Sequence, residues 1–211
     1  MEYKNIIFDV DGTLLDSYTP YMNALEKAVY KFTGNILDDK TKDKLFHMTN
    51  DEIMKYVGVN PNEYEDFIEY NDSCLNVNEV YLYEGIEELI IYLHNKGYFL
   101  GINTSRNIDE VYEVPCLVKI LKYFDCIMTC DKVNNPKPDK ESLIKIINDN
   151  KLDIGETIMI GDSINDSKCA VNSLCKFGLA SWGARDKSIY CDYYLNDVKD
   201  IYKIIKKEEE N

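Results

Sequence analysis

The chain has 211 residues, 45% of them hydrophobic and only five of them proline, enough for one sizeable core or for a core with a smaller inserted domain. Its 38 acidic residues against 24 basic ones give a formal net charge of -14, which argues against nucleic acid and anionic membranes as partners, since both rely on basic patches. No run approaches the eighteen or more apolar residues of a membrane span, and MEYKN leads straight into a strand-like segment without a secretory leader pattern, so a cytoplasmic location is expected. Seven scattered cysteines, an odd number, fit a reducing compartment better than a disulfide framework. Cys126 and Cys130 have no second Cys or His pair nearby to complete a zinc site. The KKEEE run at residues 206–210 reads as solvated surface.

In chain order, Ile6 to Phe8 is the first strand-like run, and it ends in Asp9 and Asp11. From residue 17 to residue 79 no strand is evident. Apolar residues recur at helical spacing instead, as Met22, Leu25, Val29 and Phe32, then Ile53, Met54 and Val57, then Tyr64, Phe67, Ile68 and Leu75. Thr33-Gly34-Asn35, Gly58 and Asn60-Pro61 punctuate them. Residues 17–79 are therefore expected to form a helical cap over the sheet's edge, and residues 1–16 and 80–211 the core. A helix pattern at Ile86, Leu89, Ile90 and Leu93 precedes a strand at Tyr98 to Ile102. Pro115 divides the next helical stretch, Ile108 to Leu121, into two pieces and falls in the first turn of the second. Strands follow at Cys126 to Met128 and Thr157 to Ile160, separated by a helix through Leu143, Ile144 and Ile147, with weaker strands at Phe177 to Ala180 and Tyr193 to Leu195. The alternation predicts an α/β fold, a parallel sheet with helices on both faces.

Four of these strands run into polar residues: Asp9 and Asp11; Thr104 and Ser105; the loop NPKPD at 135–139; and GDSIND at 161–166. Ligands bind at the carboxyl ends of strands in open parallel sheets, so the four loops should converge. Two carboxylates as close as Asp9 and Asp11 repel by about 3 to 4 kcal/mol near a protein surface, which calls for a cation or a shared proton. Oxygen donors without a His-Cys cluster suit Mg2+, which favours a few carboxylates plus phosphate oxygens. A lysine, a threonine hydroxyl and helix N-terminal amides suit a phosphoryl group, and the inferred reaction is phosphoryl transfer. The D-x-D-G pattern also occurs in calcium loops, but those follow a helix, whereas this one follows a strand.

DVDGT at 9–13, Thr104, Lys137 within KPD, and GDSIND at 161–166 resemble, in order and spacing, the four motifs of the haloacid dehalogenase superfamily. The helical insertion resembles the α-helical cap of its phosphoglycolate-phosphatase-like and β-phosphoglucomutase-like members. The resemblance implies a Rossmann-like core and an aspartyl-phosphate mechanism. Asp9 would be the nucleophile, and Asp11 the general acid and then base. Mg2+ would be held by Asp9, the backbone carbonyl of Asp11 and Asp162, with Asp166 bound through water or orienting the site. Thr104, Ser105 and Lys137 would hold the phosphoryl oxygens, and Gly12 would turn the backbone so that its amides face the phosphate.

Thr104 could equally cap the following helix, and Asp166 could pair with Lys168. Arg106 is either a phosphate-binding fork or an exposed charge at a helix start. His47 and Thr49 lie where similar caps place a substrate-facing turn, and Trp182 is expected to pack near the site. Asp11 points to phosphate esters, because the superfamily's dehalogenases and phosphonatases lack that acid. The run DSYTPY, Asp16 to Tyr21, lacks the histidine typical of mutases, and Ser173-Leu174 stands where Ala-Gly is usual. The expectation is a Mg2+-dependent phosphatase for a small phosphorylated metabolite, a monomer or weak homodimer. A pyrophosphatase, a phosphosugar mutase and a phosphate-binding regulator without turnover are the alternatives.

Overall fold

Ile6, Ile7 and Phe8 are apolar on every position because their strand is covered on both faces, as in the interior of a parallel sheet. A computed structural model describes residues 3–205. The KKEEE run lies outside the described residues. Strands β1 (Asn5–Phe8), β4 (Phe99–Asn103), β5 (Cys126–Met128), β6 (Thr157–Gly161), β7 (Lys176–Ala180) and β8 (Tyr193–Leu195) form one six-stranded sheet in the order β5-β4-β1-β6-β7-β8. Every neighbouring pair is parallel, with Ile7 level with Gly101 on one side and Met159 on the other. The chain builds outward from β1 through β4 to β5, then crosses back to build β6, β7 and β8. The reversal leaves a crevice at the carboxyl ends of β1 and β6, the usual place for a ligand.

Helices α8 (Glu141–Asp149) and α9 (Ile164–Asn172) pack on the sheet, α8 against β4 and β5 and α9 against β6 and β7. Their buried Leu143, Ile146, Cys169 and Ala170 join Ile7, Met159 and Phe177 in one apolar cluster. Each large aliphatic or aromatic side chain among them contributes about 1.5 to 3 kcal/mol when fully buried. Helix α5 (Ile86–Asn95) lies against β4, and the helical stretch divided by Pro115 forms α6 (Ile108–Tyr112) and α7 (Pro115–Leu121), with Pro115 opening the second. The described residues close with α10 (Ile201–Ile205), and no described helix is long and apolar enough to cross a membrane. All seven cysteines are free thiols.

The chain folds as two compact units, one made of the residues up to Asp16 with those from Leu82 onward, the other of Ser17–Tyr81. The second unit is helical: α1 (Tyr18–Thr33), α2 (Asp39–Leu45), α3 (Asn50–Val57) and α4 (Tyr64–Cys74). It has its own core, in which Met22, Leu25, Val29, Leu45, Met54 and Phe67 are buried and Phe32 meets Phe67 edge to face at 5.5 Å. Gly34 and Gly58 end α1 and α3 in the left-handed region, at φ 72° and 81°. Helix α2 has only one apolar residue in DKTKDKL and so no periodicity to read. Asp38 starts it by accepting the Thr41 N–H at 2.7 Å, and Lys42 ties it to Glu26 at 2.8 Å. The two-residue strands β2 (Leu15–Asp16) and β3 (Tyr81–Leu82), which form a small sheet, are likewise too short for a pattern.

Candidate active site

The first strand delivers Asp9 into the crevice. The Asp9 N–H still donates to the Ile160 carbonyl at 2.9 Å, so the nucleophile candidate is fixed by the sheet itself. The chain then turns sharply, the carbonyl of Val10 accepting the N–H groups of Leu14 and Leu15 at 2.8 and 2.9 Å. Gly12 takes φ 76° in this turn, and the space its Cβ would fill holds the carboxylate of Asp162. Glycine is required here twice, for the backbone conformation and for the close approach.

Lys137 reaches into this place from the loop after β5. Its Nζ is buried and donates to Asp9 Oδ1 at 2.7 Å and to Asp166 Oδ1 at 2.6 Å. Burial alone would lower the lysine's pKa, but the charges of Asp166 and Asp9 outweigh it and hold the pKa well above the usual range, so it stays a cation. Burial, followed by the charge of Asp166, pushes Asp9 up to about 7 against the opposing pull of Lys137. The loop that carries Lys137 is held by Glu141, whose carboxylate accepts the N–H groups of Asn134 and Asn135, both at 2.9 Å.

The β6–α9 turn supplies the other carboxylates. Asp166 is the third residue of α9 and forms a capping box with Ser163, accepting from the Ser163 N–H at 3.1 Å and hydroxyl at 2.5 Å. Its partner is therefore Lys137, and not Lys168, which is exposed. Asp162 is wholly buried. Its Oδ1 faces the Thr13 hydroxyl at 3.4 Å, while Oδ2 has no hydrogen-bond partner among the described residues. Burial, with the charges of Asp166 and Asp9, pushes its pKa well above the usual carboxylate range. Oxygens of Asp9, Asp162 and Asp166 lie within 4.8 Å of one another. Hard oxygen donors at this spacing, one of them buried and unpartnered, fit a divalent cation such as Mg2+, which would neutralise what the protein leaves uncompensated.

Thr104 directly follows β4, its N–H donating to the Met128 carbonyl at 3.0 Å. It is not the helix cap: Asn107 starts α6 through a capping box with Glu110, while the Thr104 hydroxyl accepts the Arg106 N–H at 3.2 Å. Ser105 sits half-buried between them. Arg106 departs from the exposed-charge reading, for it is buried and its guanidinium grips Asp11, Nε to Oδ2 at 2.7 Å and Nη2 to Oδ1 at 2.6 Å. The cluster thus joins Asp9, Gly12, Lys137, Asp162 and Asp166 directly, with Asp11 held beside it by Arg106. His47 and Thr49 belong to the helical unit. There Thr49 forms the capping box of α3 with Glu52, and the His47 ring lies 5.1 Å from Phe46.

Of the braces of this site, sequence reasoning expected Trp182 nearby but missed Gly183. The Trp182 indole N–H donates to the Thr13 carbonyl at 3.0 Å, and Gly183 lies so close to the Gly12 carbonyl that no Cβ would fit. The Ser163-x-x-Asp166 spacing after a strand also carried a readable signal, that of a capping box.

Fold and site together define a Rossmann-like α/β protein with a centre of carboxylates and a lysine at the strand ends. Residues 6–180 match the family described as haloacid dehalogenase-like hydrolase. The pyrophosphatase PpaX of Bacillus velezensis is 30% identical over 94% of this chain and 94% of its own length. Among solved structures, a Lactobacillus plantarum protein provisionally named phosphoglycolate phosphatase is similar with a TM-score of 0.86 at 24% identity, covering 97% of this chain and all of its own. CbbY of Rhodobacter sphaeroides, solved with xylulose-1,5-bisphosphate, is similar with a TM-score of 0.76 at 18% identity, covering 92% of this chain and 94% of its own. The chain belongs to the haloacid dehalogenase-like hydrolases.

Proposed function

We propose that the protein is a Mg2+-dependent phosphatase that hydrolyses a small phosphorylated metabolite through an aspartyl-phosphate on Asp9. The observation that carries this reading is the buried Lys137, set between Asp9 and Asp166 beside the unpartnered oxygen of Asp162. An acidic cluster that needed only neutralising would not leave a buried carboxylate oxygen without a donor. Mg2+ held by Asp9, Asp162 and the Asp11 carbonyl, with Asp166 behind them, would supply charge against the phosphoryl oxygens.

In the first displacement the Asp9 carboxylate attacks phosphorus, the bond to the leaving oxygen breaks, and Asp11 gives that oxygen its proton. In the second, water attacks phosphorus and Asp11 takes its proton. The bond from phosphorus to Asp9 then breaks, releasing phosphate and restoring the carboxylate. Lys137, the Thr104 hydroxyl and the amides of the Gly12 turn stabilise the phosphoryl oxygens as charge redistributes.

The name of the Bacillus velezensis relative favours pyrophosphate as one substrate to compare with monoesters. The test is Mg2+-dependent release of phosphate from para-nitrophenyl phosphate, sugar phosphates, phosphoglycolate, nucleotides and pyrophosphate, with kcat/KM compared. Turnover that requires Mg2+ and disappears in Asp9→Asn is the expected result. No release from folded wild-type protein, or an unchanged rate in Asp9→Asn, overturns the reading. Conversion of β-glucose 1-phosphate to glucose 6-phosphate in place of phosphate release would make it a mutase.

A further inference from the structure

Arg106 is one of two arginines in the chain, and its guanidinium is taken up by protein atoms. Nε and Nη2 form a two-pronged fork on the Asp11 carboxylate at 2.7 and 2.6 Å, and Nη1 donates to the Glu110 carbonyl at 3.1 Å. The side chain is only 7% exposed and that of Asp11 24%. Nor is the residue free to swing. Its N–H is held by the Thr104 hydroxyl at 3.2 Å, its carbonyl accepts the Cys130 N–H at 3.0 Å, and the capping box of Asn107 with Glu110 fixes the carbonyl that Nη1 meets. A guanidinium aimed at a bound phosphate would instead keep its fork open toward the strand ends.

We infer that Arg106 is a positioning residue for Asp11, a rigid fork that fixes the direction from which the acid/base carboxylate meets the leaving-group oxygen. The inference rests on the aspartyl-phosphate reading above. The fork leaves each carboxylate oxygen a second lone pair that can face the leaving-group oxygen or the attacking water. The planar two-point match is a property of guanidinium that an ammonium does not share, so lysine is not an equivalent here. An unheld carboxylate samples many directions, and proton transfer needs one of them.

The experiment uses wild type, Arg106→Ala, Arg106→Lys, Asp11→Asn and the double variant Arg106→Ala/Asp11→Asn, with glycerol phosphate and para-nitrophenyl phosphate as substrates and inorganic phosphate as inhibitor. Nitrophenolate leaves without a proton, whereas an alkoxide needs one, so kcat/KM for the two esters separates proton donation from everything else. In Arg106→Ala, kcat/KM should fall about 10- to 100-fold on the alkyl ester, and by less than about threefold on the nitrophenyl ester, with phosphate inhibition unchanged. Arg106→Lys should restore little of the loss, and the double variant should be no worse than Asp11→Asn on the alkyl ester. Equal losses on both esters with weaker phosphate inhibition would make Arg106 a phosphate ligand and overturn the inference. So would a lowered melting temperature with an unchanged ratio of the two kcat/KM values, or losses that add to those of Asp11→Asn. If wild type turns over and Asp9→Asn does not, the parent reading stands whatever Arg106 does; wild type without turnover removes both.

Discussion

Gly183 lacks a side chain for a reason that only the folded protein reveals: the carbonyl of Gly12 occupies the place its Cβ would take. Gly183→Ala therefore has to push the Asp9 turn aside. Overpacking of this kind costs about 1 to 3 kcal/mol, so a lower urea midpoint is expected together with a fall in kcat/KM of at least about tenfold. Asp162 makes the opposite case, since its ionised form is disfavoured by burial and by its neighbours. In Asp162→Asn, the melting temperature without divalent cation should rise by roughly 2 to 4 °C, and the further rise on adding Mg2+ should largely vanish. An unchanged response to Mg2+ would remove Asp162 from the metal site. Asp9, Lys137, Asp162 and Asp166 stood out in the sequence because each follows, directly or across a short loop, an apolar run that reads as a strand. The partner of Arg106 was not legible, since 95 residues separate it from Asp11 and no local pattern links them.

Elements were readable in proportion to their apolar periodicity, which is why Pro115 marked its helix boundary while α2 and the two-residue strands left no trace. The Ser173-Leu174 departure also has a physical meaning at this scale. Helix α9 ends with the Leu174 N–H on the Val171 carbonyl at 3.0 Å and the Cys175 N–H on the Ala170 carbonyl at 2.9 Å, a Schellman motif. Its left-handed position, φ 60°, is filled by an exposed leucine where glycine is preferred. Left-handed backbone costs a non-glycine residue roughly 1 to 2 kcal/mol, so Leu174→Gly should raise stability in a urea titration by a net of about 0.5 to 1 kcal/mol, with kcat unchanged. The loop before α8 gives a pH prediction. The backbone N–H of Asn134, then the side chain of Asn135, hold the Glu141 carboxyl below its ordinary value. A depressed carboxyl stabilises the folded state fully above its unfolded pKa and loses that contribution as pH falls through the lower folded value. Amide exchange at Asn134 and Asn135, corrected for intrinsic pH dependence, should therefore accelerate relative to the core strands as pH drops below about 4. Glu141→Gln should show the faster exchange already at neutral pH.

For the molecule as a whole, a net charge of -14 repels the anionic substrate that the phosphatase centre has to admit. Lys137 supplies local positive charge, but it is buried and acts only at short range. Raising ionic strength screens the long-range repulsion, with a Debye length near 30 Å at 0.01 M and about 8 Å at 0.15 M. At fixed free Mg2+, kcat/KM for a dianionic ester should accordingly rise about twofold or more between roughly 0.01 and 0.15 M salt, while kcat stays level. A steady fall with salt would mean that local attraction outweighs the field of the whole chain. At this scale the helical unit was signalled by successive stretches of helical spacing after the first core strand, whereas the braces across the crevice depend on tertiary approach alone.

Trp182 gives the protein a built-in optical probe. It is the only tryptophan in the chain, and its indole N–H is hydrogen-bonded to the Thr13 carbonyl on the same turn that follows Asp9. Indole emission shifts when the polarity and hydrogen bonding around the ring change, so an unlabelled sample reports on the turn that follows Asp9. Ligand occupancy there can be followed by fluorescence, in real time, with no substrate turned over.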